Sequence, residues 1–483
     1  MIIKRDPDII KCYFEDESGL LGGHADRLVL PESEKDSIET LKELSNNKIP
    51  ATISGGGTGV TGSRVPFGGT IIGTDSLNKI TCIDKADLTA IVQPGVRLSE
   101  LENELFKIGL TYLPKPTESN AFIGGTVSTN ASGARGFKYG STRKYIKRLK
   151  VVLSSGDILD IKRGDYITTK RNTFSIRLKD KELKLPIPTY VMPNVKNASG
   201  YYVKDGMDLI DIFIGSEGTL GFIIEIEVSI NRRLDKIMSF FSFFDKDSDA
   251  LNFVNEAKRY SALSIEYMDE NSLKLLNNKF PNILSTKSLV YFEQDYKEQD
   301  ESKMIDQWIG LLEKHNYIED KSYFADSIKE QEKLKEFRHA LPETINEIVK
   351  KNRLPKVGTD IAVPDNKFIE MFDFYKERLS CCKIEYVIFG HIGESHMHVN
   401  LLPKNDMEFA ESKSIYMDFV KKAVSLGGTV SAEHGIGKLK HKFLEAMYGK
   451  NALIEMARLK KALDPACMLG LGNIFPKELL ASQ

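Results

Sequence analysis

The chain has 483 residues, which at about 150 residues per domain predicts two large or three ordinary domains. Hydrophobic residues at 41% and charged residues at 28% are the balance of a globular protein, and 67 basic against 68 acidic side chains leave a net charge of −1. That balance supplies no bulk attraction for nucleic acid, and five cysteines without C-x-x-C spacing argue against a disulfide scaffold, a cysteine-rich zinc module and an iron–sulfur cluster.

The vicinal Cys381–Cys382 pair reads as buried packing. The N-terminal stretch lacks an uninterrupted apolar signal region, and no apolar run approaches the roughly 20 residues that span a bilayer. A cytoplasmic protein without a transmembrane segment is expected, with peripheral contact at the inner membrane left open.

In chain order, PESEKDSIETLKELSNNKIPATISGGG from Pro31 predicts helix, Asn-rich break and strand. Short β-type runs follow near Thr70, before Gly95 and after Leu149, the last folded at Ser154-Ser155-Gly156-Asp157 as a hairpin. Glycine is concentrated between them: eight residues from Gly55 to Gly73, then Gly124 to Gly140 and Gly215 to Gly221. Residues 1–235 therefore read as an α+β domain built around glycine-rich loops.

From Ile237, strand-like MSFFSFF, LSIEYMD and SLVYFEQDY alternate with helical DALNFVNEAKRY and SKMIDQWIGLLEKH. This predicts an antiparallel sheet covered by helices on one side. Charged helical sequence from Asp326 to Lys351 leads into strand-like KVGTDIAVP.

Gly57, Gly59 and Gly62 match G-x-G-x-x-G, but the dinucleotide reading needs a helix opening directly after it. Pro66 and Gly68–Gly69 make such a helix improbable. Glycine still lets backbone N–H groups converge on phosphate oxygens, and three such loops in one domain favour a long ligand touched at several points.

Five of the eight histidines lie between His391 and His441. In EYVIFGHIGESHMHVNLLP, Tyr386 to Phe389 reads as a strand, GHIGES as a loop and HMHVNLL as a second strand. On that strand His396, His398 and Asn400 point one way and Met397, Val399 and Leu401 the other, with His391 in reach across the hairpin. GGTVSAEHGIGKLK adds the neighbours Glu433 and His434. Two imidazoles and a carboxylate make a three-ligand site open to Zn²⁺, Mn²⁺ or Fe²⁺, zinc placed first.

Together these motifs resemble the vanillyl-alcohol-oxidase/p-cresol-methylhydroxylase flavoproteins, and within them the FAD-linked D-2-hydroxyacid dehydrogenases of D-lactate, D-2-hydroxyglutarate and glycolate. The segments that carry the likeness are SGGGTGVTG, VQPGV, PKPTESNAFIGGTVSTNASGARGFKYG, GSEGTLGFIIEIEV, FGHIGESHMHVN, SAEHGIG and LDPACMLGLGN. The resemblance implies an FAD domain of two α+β subdomains (1–235), a cap domain with an antiparallel sheet that carries the metal hairpin (236–425), and a C-terminal segment returning to the FAD domain (426–483).

It implies non-covalent FAD held at Gly56, Gly57, Thr58, Gly59, Pro116, Ser119, Gly124, Gly125, Gly133, Glu217 and Gly221. It further implies metal ligands His391, His398 and Glu433, a catalytic base His434, and substrate contacts from Arg338, Lys356 and Asn400. The reaction would be oxidation of a D-2-hydroxy acid, with an electron-transfer flavoprotein, quinone or cytochrome as external acceptor; a homodimer is compatible with it.

Two places depart from the family's pattern. Glu394, Ser395 and His396 replace Asp, Gly and Asn of the common metal loop, so His396 is an added ligand, a donor behind the ligands or a substrate contact. Gly470-Leu471-Gly472-Asn473 replaces Asn-Pro-Gly-Lys. The alternatives are a flavin-dependent transferase like the alkylglycerone-phosphate synthases, and a subunit that holds FAD without oxidising a substrate.

Overall fold

Ser33 starts the first long helix, Glu34–Asn46: its hydroxyl accepts from Asp36 N at 3.1 Å, and Glu34 and Asp36 sit at the positive end of the helix dipole. Leu41 and Leu44 on one face are fully buried. The computed structural model describes residues 1–168, 173–178, 181–277, 279–280 and 286–481.

This helix leads to strand Ala51–Ser54 in a four-stranded sheet of order Ile2–Lys4, Arg27–Leu30, Thr70–Gly73, Ala51–Ser54. Ala51–Ser54 and Thr70–Gly73 run parallel, so the chain must return between them. It does so through turns and bends with no helix after Gly62, which bears out the rejection of the dinucleotide motif.

A second sheet of five antiparallel strands has the order Ile80–Asp84, Thr89–Val92, Phe222–Ser229, Ile146–Val152, Ile158–Lys162. Its last two strands are the expected hairpin, turned at Gly156 with φ +79°.

The third sheet has eight antiparallel strands. Tyr323–Ala325, Lys236–Phe244, Ser288–Tyr296, Ser264–Asp269, Tyr386–Gly390, His396–Leu401 and Val357–Gly358 follow in order, and Ile361–Ala362 also pairs with His396–Leu401. Phe240 stacks on Phe292 with centroids 4.5 Å apart and packs towards Phe253 and Trp308, on helices Asp247–Ala257 and Glu301–Lys314. One residue on, Phe241 and Phe243 face a separate core with Leu273, Leu276, Leu334 and Phe337, on helices Glu270–Leu276 and Ile328–Asn352.

Helices therefore cover both faces of this sheet, not one. The central strands are buried at both alternations, as a doubly covered sheet requires. The vicinal cysteines also differ from expectation: Cys381 is exposed where helix Phe368–Ser380 ends, and Cys382 is half-buried.

The last residues lie against the first sheets. Ala51 N donates to Met468 O and Gly470 N to Ala51 O, both at 2.8 Å. Buried Lys460 donates to Thr219 O and Leu469 O and pairs with Asp464 at 2.7 Å. No helix among the described residues is long and apolar enough to cross a membrane.

Candidate active site

The hairpin forms as its alternation dictates. Tyr386–Gly390 and His396–Leu401 pair with Phe389 opposite His398, and Met397, Val399 and Leu401 are at most 1% exposed on the core side. His391 and Ser395 stand at its tip, where Gly390 at φ +134° lets the chain turn out of the strand.

Glu433 and His434 reach the hairpin through Asp360. Its carboxylate accepts from Glu433 N at 3.2 Å and His434 N at 3.0 Å, from Ser431 Oγ at 2.6 Å and from Lys440 Nζ at 2.9 Å. Asp360 is 1% exposed, and although desolvation works against its charge, His434, Lys440 and His396 hold it well below the usual carboxylate range.

Glu433 Oε1 lies at the centre of three imidazoles, 3.3 Å from His391 Nε2, 3.4 Å from His398 Nε2 and 3.5 Å from His434 Nε2. The two hairpin histidines are anchored by their other nitrogen. His391 Nδ1 meets Glu266 Oε1 at 2.6 Å, and His398 Nδ1 meets Thr359 O at 2.9 Å. Metal-binding imidazoles are oriented in this way, with the outer N–H on a carboxylate or carbonyl. His391, His396, His398 and Glu433 each offer a ligand atom within 4.8 Å of the others, so the residues present fit a divalent metal.

Glu433 Oε2 receives Lys196 Nζ at 2.8 Å and Ser132 Oγ at 3.1 Å, and the same Lys196 reaches Glu394 Oε2 at 2.9 Å. Desolvation opposes the charge of Glu433, but Lys196 and His391 hold its carboxyl far below the ordinary range. Desolvation likewise pulls His391 down, yet Glu266 and Glu433 lift it to about 9. The His434 ring is 34% exposed and stacks on His398 with centroids 5.4 Å apart; desolvation holds it down to about 4, against the pull of Asp360 at 3.3 Å from its Nδ1.

The glycine-rich loops meet beside this cluster. Glu217 at φ +51° turns its carboxylate onto Ser63 Oγ at 2.5 Å and the backbone N–H groups of Ile436 and Gly437, both at 2.7 Å. A Cβ on Gly437 would stand 2.0 Å from Thr61 O, so only glycine lets the His434 loop approach the Gly55–Gly62 loop. Asn473 Nδ2 donates to Ser63 O and Glu217 O, both at 2.9 Å. The departure at the C-terminal motif is thus a clamp between two of the loops.

Lys438 Nζ donates to Gly62 O at 3.2 Å, Ser63 O at 3.1 Å and Asn473 Oδ1 at 2.7 Å, and burial pulls its ammonium down to about 8 despite Glu217 and Asp16. The unfolded chain holds that proton to about 10.4. Unfolding therefore takes up a proton between these values, and stability rises with pH through that window. Urea titrations at about pH 7.5 and 10 are expected to show wild type gaining on Lys438→Met at the higher pH; an unchanged difference would mean the ammonium is not desolvated.

The expected flavin contacts divide by what surrounds them. Gly125 has nothing within 4 Å on its Cβ side, the open backbone that a ligand needs, whereas Gly56 faces the Phe122 ring, 3.3 Å from where its Cβ would stand. Thr58 is half-buried and Gly59 exposed in the same loop, Ser119 is exposed and Pro116 half-buried. Gly57, at φ +83°, has Arg64 Nη1 where a Cβ would stand, at 2.4 Å. Gly124, Gly133 and Gly221 are closed in by Pro94, Lys115 O and Val151, so packing demands glycine there. Both oxygens of Glu217 are occupied by protein donors.

The proposed substrate contacts do not assemble as expected. Arg338 Nε and Nη2 already hold Glu266 Oε2 at 3.3 and 3.0 Å, which places the guanidinium behind His391. Lys356 is exposed, near Glu17, at the end of the sheet away from the hairpin tip, because Val357 pairs with Leu401. Asn400 is buried on the histidine face of its strand, beside Gly358.

Sequence reasoning missed Lys196, Glu266 and the hub role of Asp360. Glu266 had a signal: a carboxylate between Ile265 and Tyr267 in a strand read as part of the sheet needs a partner once it is buried. Lys196, in a loop without periodicity, had none.

Comparison with known proteins identifies the family. Residues 25–162 match the FAD binding domain family, and residues 235–474 match the C-terminal domain of FAD linked oxidases. The chain is 28% identical over 485 aligned residues to a D-lactate dehydrogenase of Anaerostipes hadrus, covering 97% of this chain and 94% of that protein. It is 27% identical to glycolate oxidase subunit GlcD of Bacillus subtilis, covering 94% and 89%. A solved alkyldihydroxyacetonephosphate synthase shares the fold, with a TM-score of 0.69 at 16% identity over 97% of this chain and 81% of that one. With both halves of the chain matched, the protein belongs to the FAD-linked oxidases, flavoproteins of the vanillyl-alcohol-oxidase/p-cresol-methylhydroxylase superfamily.

Proposed function

We propose that this FAD-linked oxidoreductase oxidises a D-2-hydroxy acid to the 2-oxo acid, and that the observation carrying this reading is the His391, His398, Glu433 cluster with the His434 ring beside it. Bound FAD supplies the hydride acceptor, and a divalent metal supplies the Lewis acid that lowers the pKa of the substrate hydroxyl. His391, His398 and Glu433 hold that metal. Glu266 and Thr359 O fix the two imidazoles so that Nε2 faces inward.

His434 takes the hydroxyl proton at Nε2. Its low pKa keeps the lone pair free at neutral pH, and Asp360 beside Nδ1 stabilises the imidazolium that forms. Clamping of the His434 loop to the Gly55–Gly62 loop by Glu217 sets the base next to the flavin loops. The electrons would pass on to an external acceptor of the electron-transfer flavoprotein, quinone or cytochrome kind. Residues 1–235 form the flavin domain, 236–425 the cap and 426–483 the returning segment.

An anaerobic visible spectrum during addition of D- and L-lactate, D-2-hydroxyglutarate and glycolate tests this. Bleaching by one D-acid, lost on chelation and restored by a divalent metal, is expected. Bleaching by none, with FAD and metal present, overturns it and turns attention to the transferase chemistry of the synthase, whose likeness at 16% identity speaks for fold alone.

A further inference from the structure

His396 stands where related metal loops carry asparagine, and the proposed mechanism gives it no role. It is 0% exposed. Its Nε2 lies 3.1 Å from Asp360 Oδ1 but off the hydrogen-bond axis, and neither ring nitrogen has a hydrogen-bond partner in the protein. An imidazole always carries at least one N–H, and leaving such a group buried and unpaired is costly.

Its surroundings repeat those of its neighbours. His391 has a carboxylate at its outer nitrogen, His398 a carbonyl, and His396 the carboxylate of Asp360. The ring centroid of His396 is 4.6 Å from that of His398 and 5.3 Å from that of His391. One of its nitrogens lies within 4.8 Å of the ligand atoms of His391, His398 and Glu433.

From this orphaned ring we infer that His396 is a third imidazole ligand, giving a site of three histidines and Glu433, with Asp360 as its outer partner. The inference rests on the metal reading above. It changes which ion suits the reaction. Four protein ligands complete the tetrahedron that zinc adopts in structural sites, whereas Mn²⁺ or Fe²⁺ at higher coordination keeps positions for a hydroxy acid. Zinc placed first by residue type alone thus gives way to Mn²⁺ or Fe²⁺ as the working ion.

The test uses FAD-loaded protein stripped of metal and titrated with Co²⁺, followed by visible absorption and by competition with a chelator. His396→Asn is expected to weaken Co²⁺ binding at least 10-fold, the lower end of what removing even an outer partner of a ligand costs. Wild-type Co²⁺ protein should also show three exchangeable, paramagnetically shifted imidazole N–H signals in its proton NMR spectrum, a readout that needs no variant to fold. Equal affinity in His396→Asn, or two such signals, overturns the assignment while leaving the metal reading intact. Failure of wild type to bind Co²⁺, Mn²⁺ or Zn²⁺ overturns both.

Discussion

His434→Ala should slow anaerobic flavin reduction by the substrate acid by about 10²–10⁴-fold, the range that a positioned general base contributes. FAD content and metal binding should be retained. The ring is a third open to the space where substrate must enter, and its Nε2 is 3.5 Å from Glu433 Oε1 at the centre of the cluster. The loop around it does not depend on the imidazole: Asp360 holds the Glu433 and His434 backbone N–H groups, and Glu217 holds those of Ile436 and Gly437. Stopped-flow bleaching of the flavin band reads the effect directly. Reduction at the wild-type rate would remove His434 from the role of base.

Lys196→Met should carry the largest stability effect. Lys196 is 6% exposed and neutralises two carboxylates, Glu394 at 13% and Glu433 at 11% exposure. Removing one partner of a buried pair and leaving the other charged costs about 3–5 kcal/mol. In metal-free protein the two carboxylates would then face each other with only the charge of His391, whose ring lies on Glu433, and the more distant Lys258, which attracts Glu394, to offset them among the described residues. Metal should restore part of the loss, because a bound divalent cation takes over the neutralisation of Glu433. Urea unfolding of variant and wild type, each with and without metal, measures both terms. A variant as stable as wild type without metal would show that the lysine is not essential to the charge balance.

These two residues mark the division between what was readable and what was not. His434 stood out in the sequence because an imidazole next to a carboxylate between glycines is a local pattern. Lys196 carried no local mark, and its importance comes only from two carboxylates that the fold delivers to it. Arg338 shows the same from the other side: a guanidinium suited to a substrate carboxylate was legible, but Glu266 occupies it already. Glu266 belongs to a strand that the fold buries on both faces, and only the fold gives it His391 and Arg338 as partners.

The sequence alone determined the strands and helices, the glycine-rich loops, the histidine hairpin with its inward and outward faces, and the rejection of a dinucleotide helix after Gly62. Each of these follows from interactions among residues within a few positions, namely period-2 alternation, capping and backbone freedom at glycine. Tertiary structure decided that helices cover both faces of the eight-stranded sheet, that Lys356 lies away from the cluster, that Asp360 joins the hairpin to the Glu433 loop, and that His396 is buried beside Asp360 without a well-aligned hydrogen bond. The reason is that a buried charge or imidazole takes its partner from whatever packing brings within hydrogen-bond reach. That choice is made between segments far apart in the chain, where no local pattern records it.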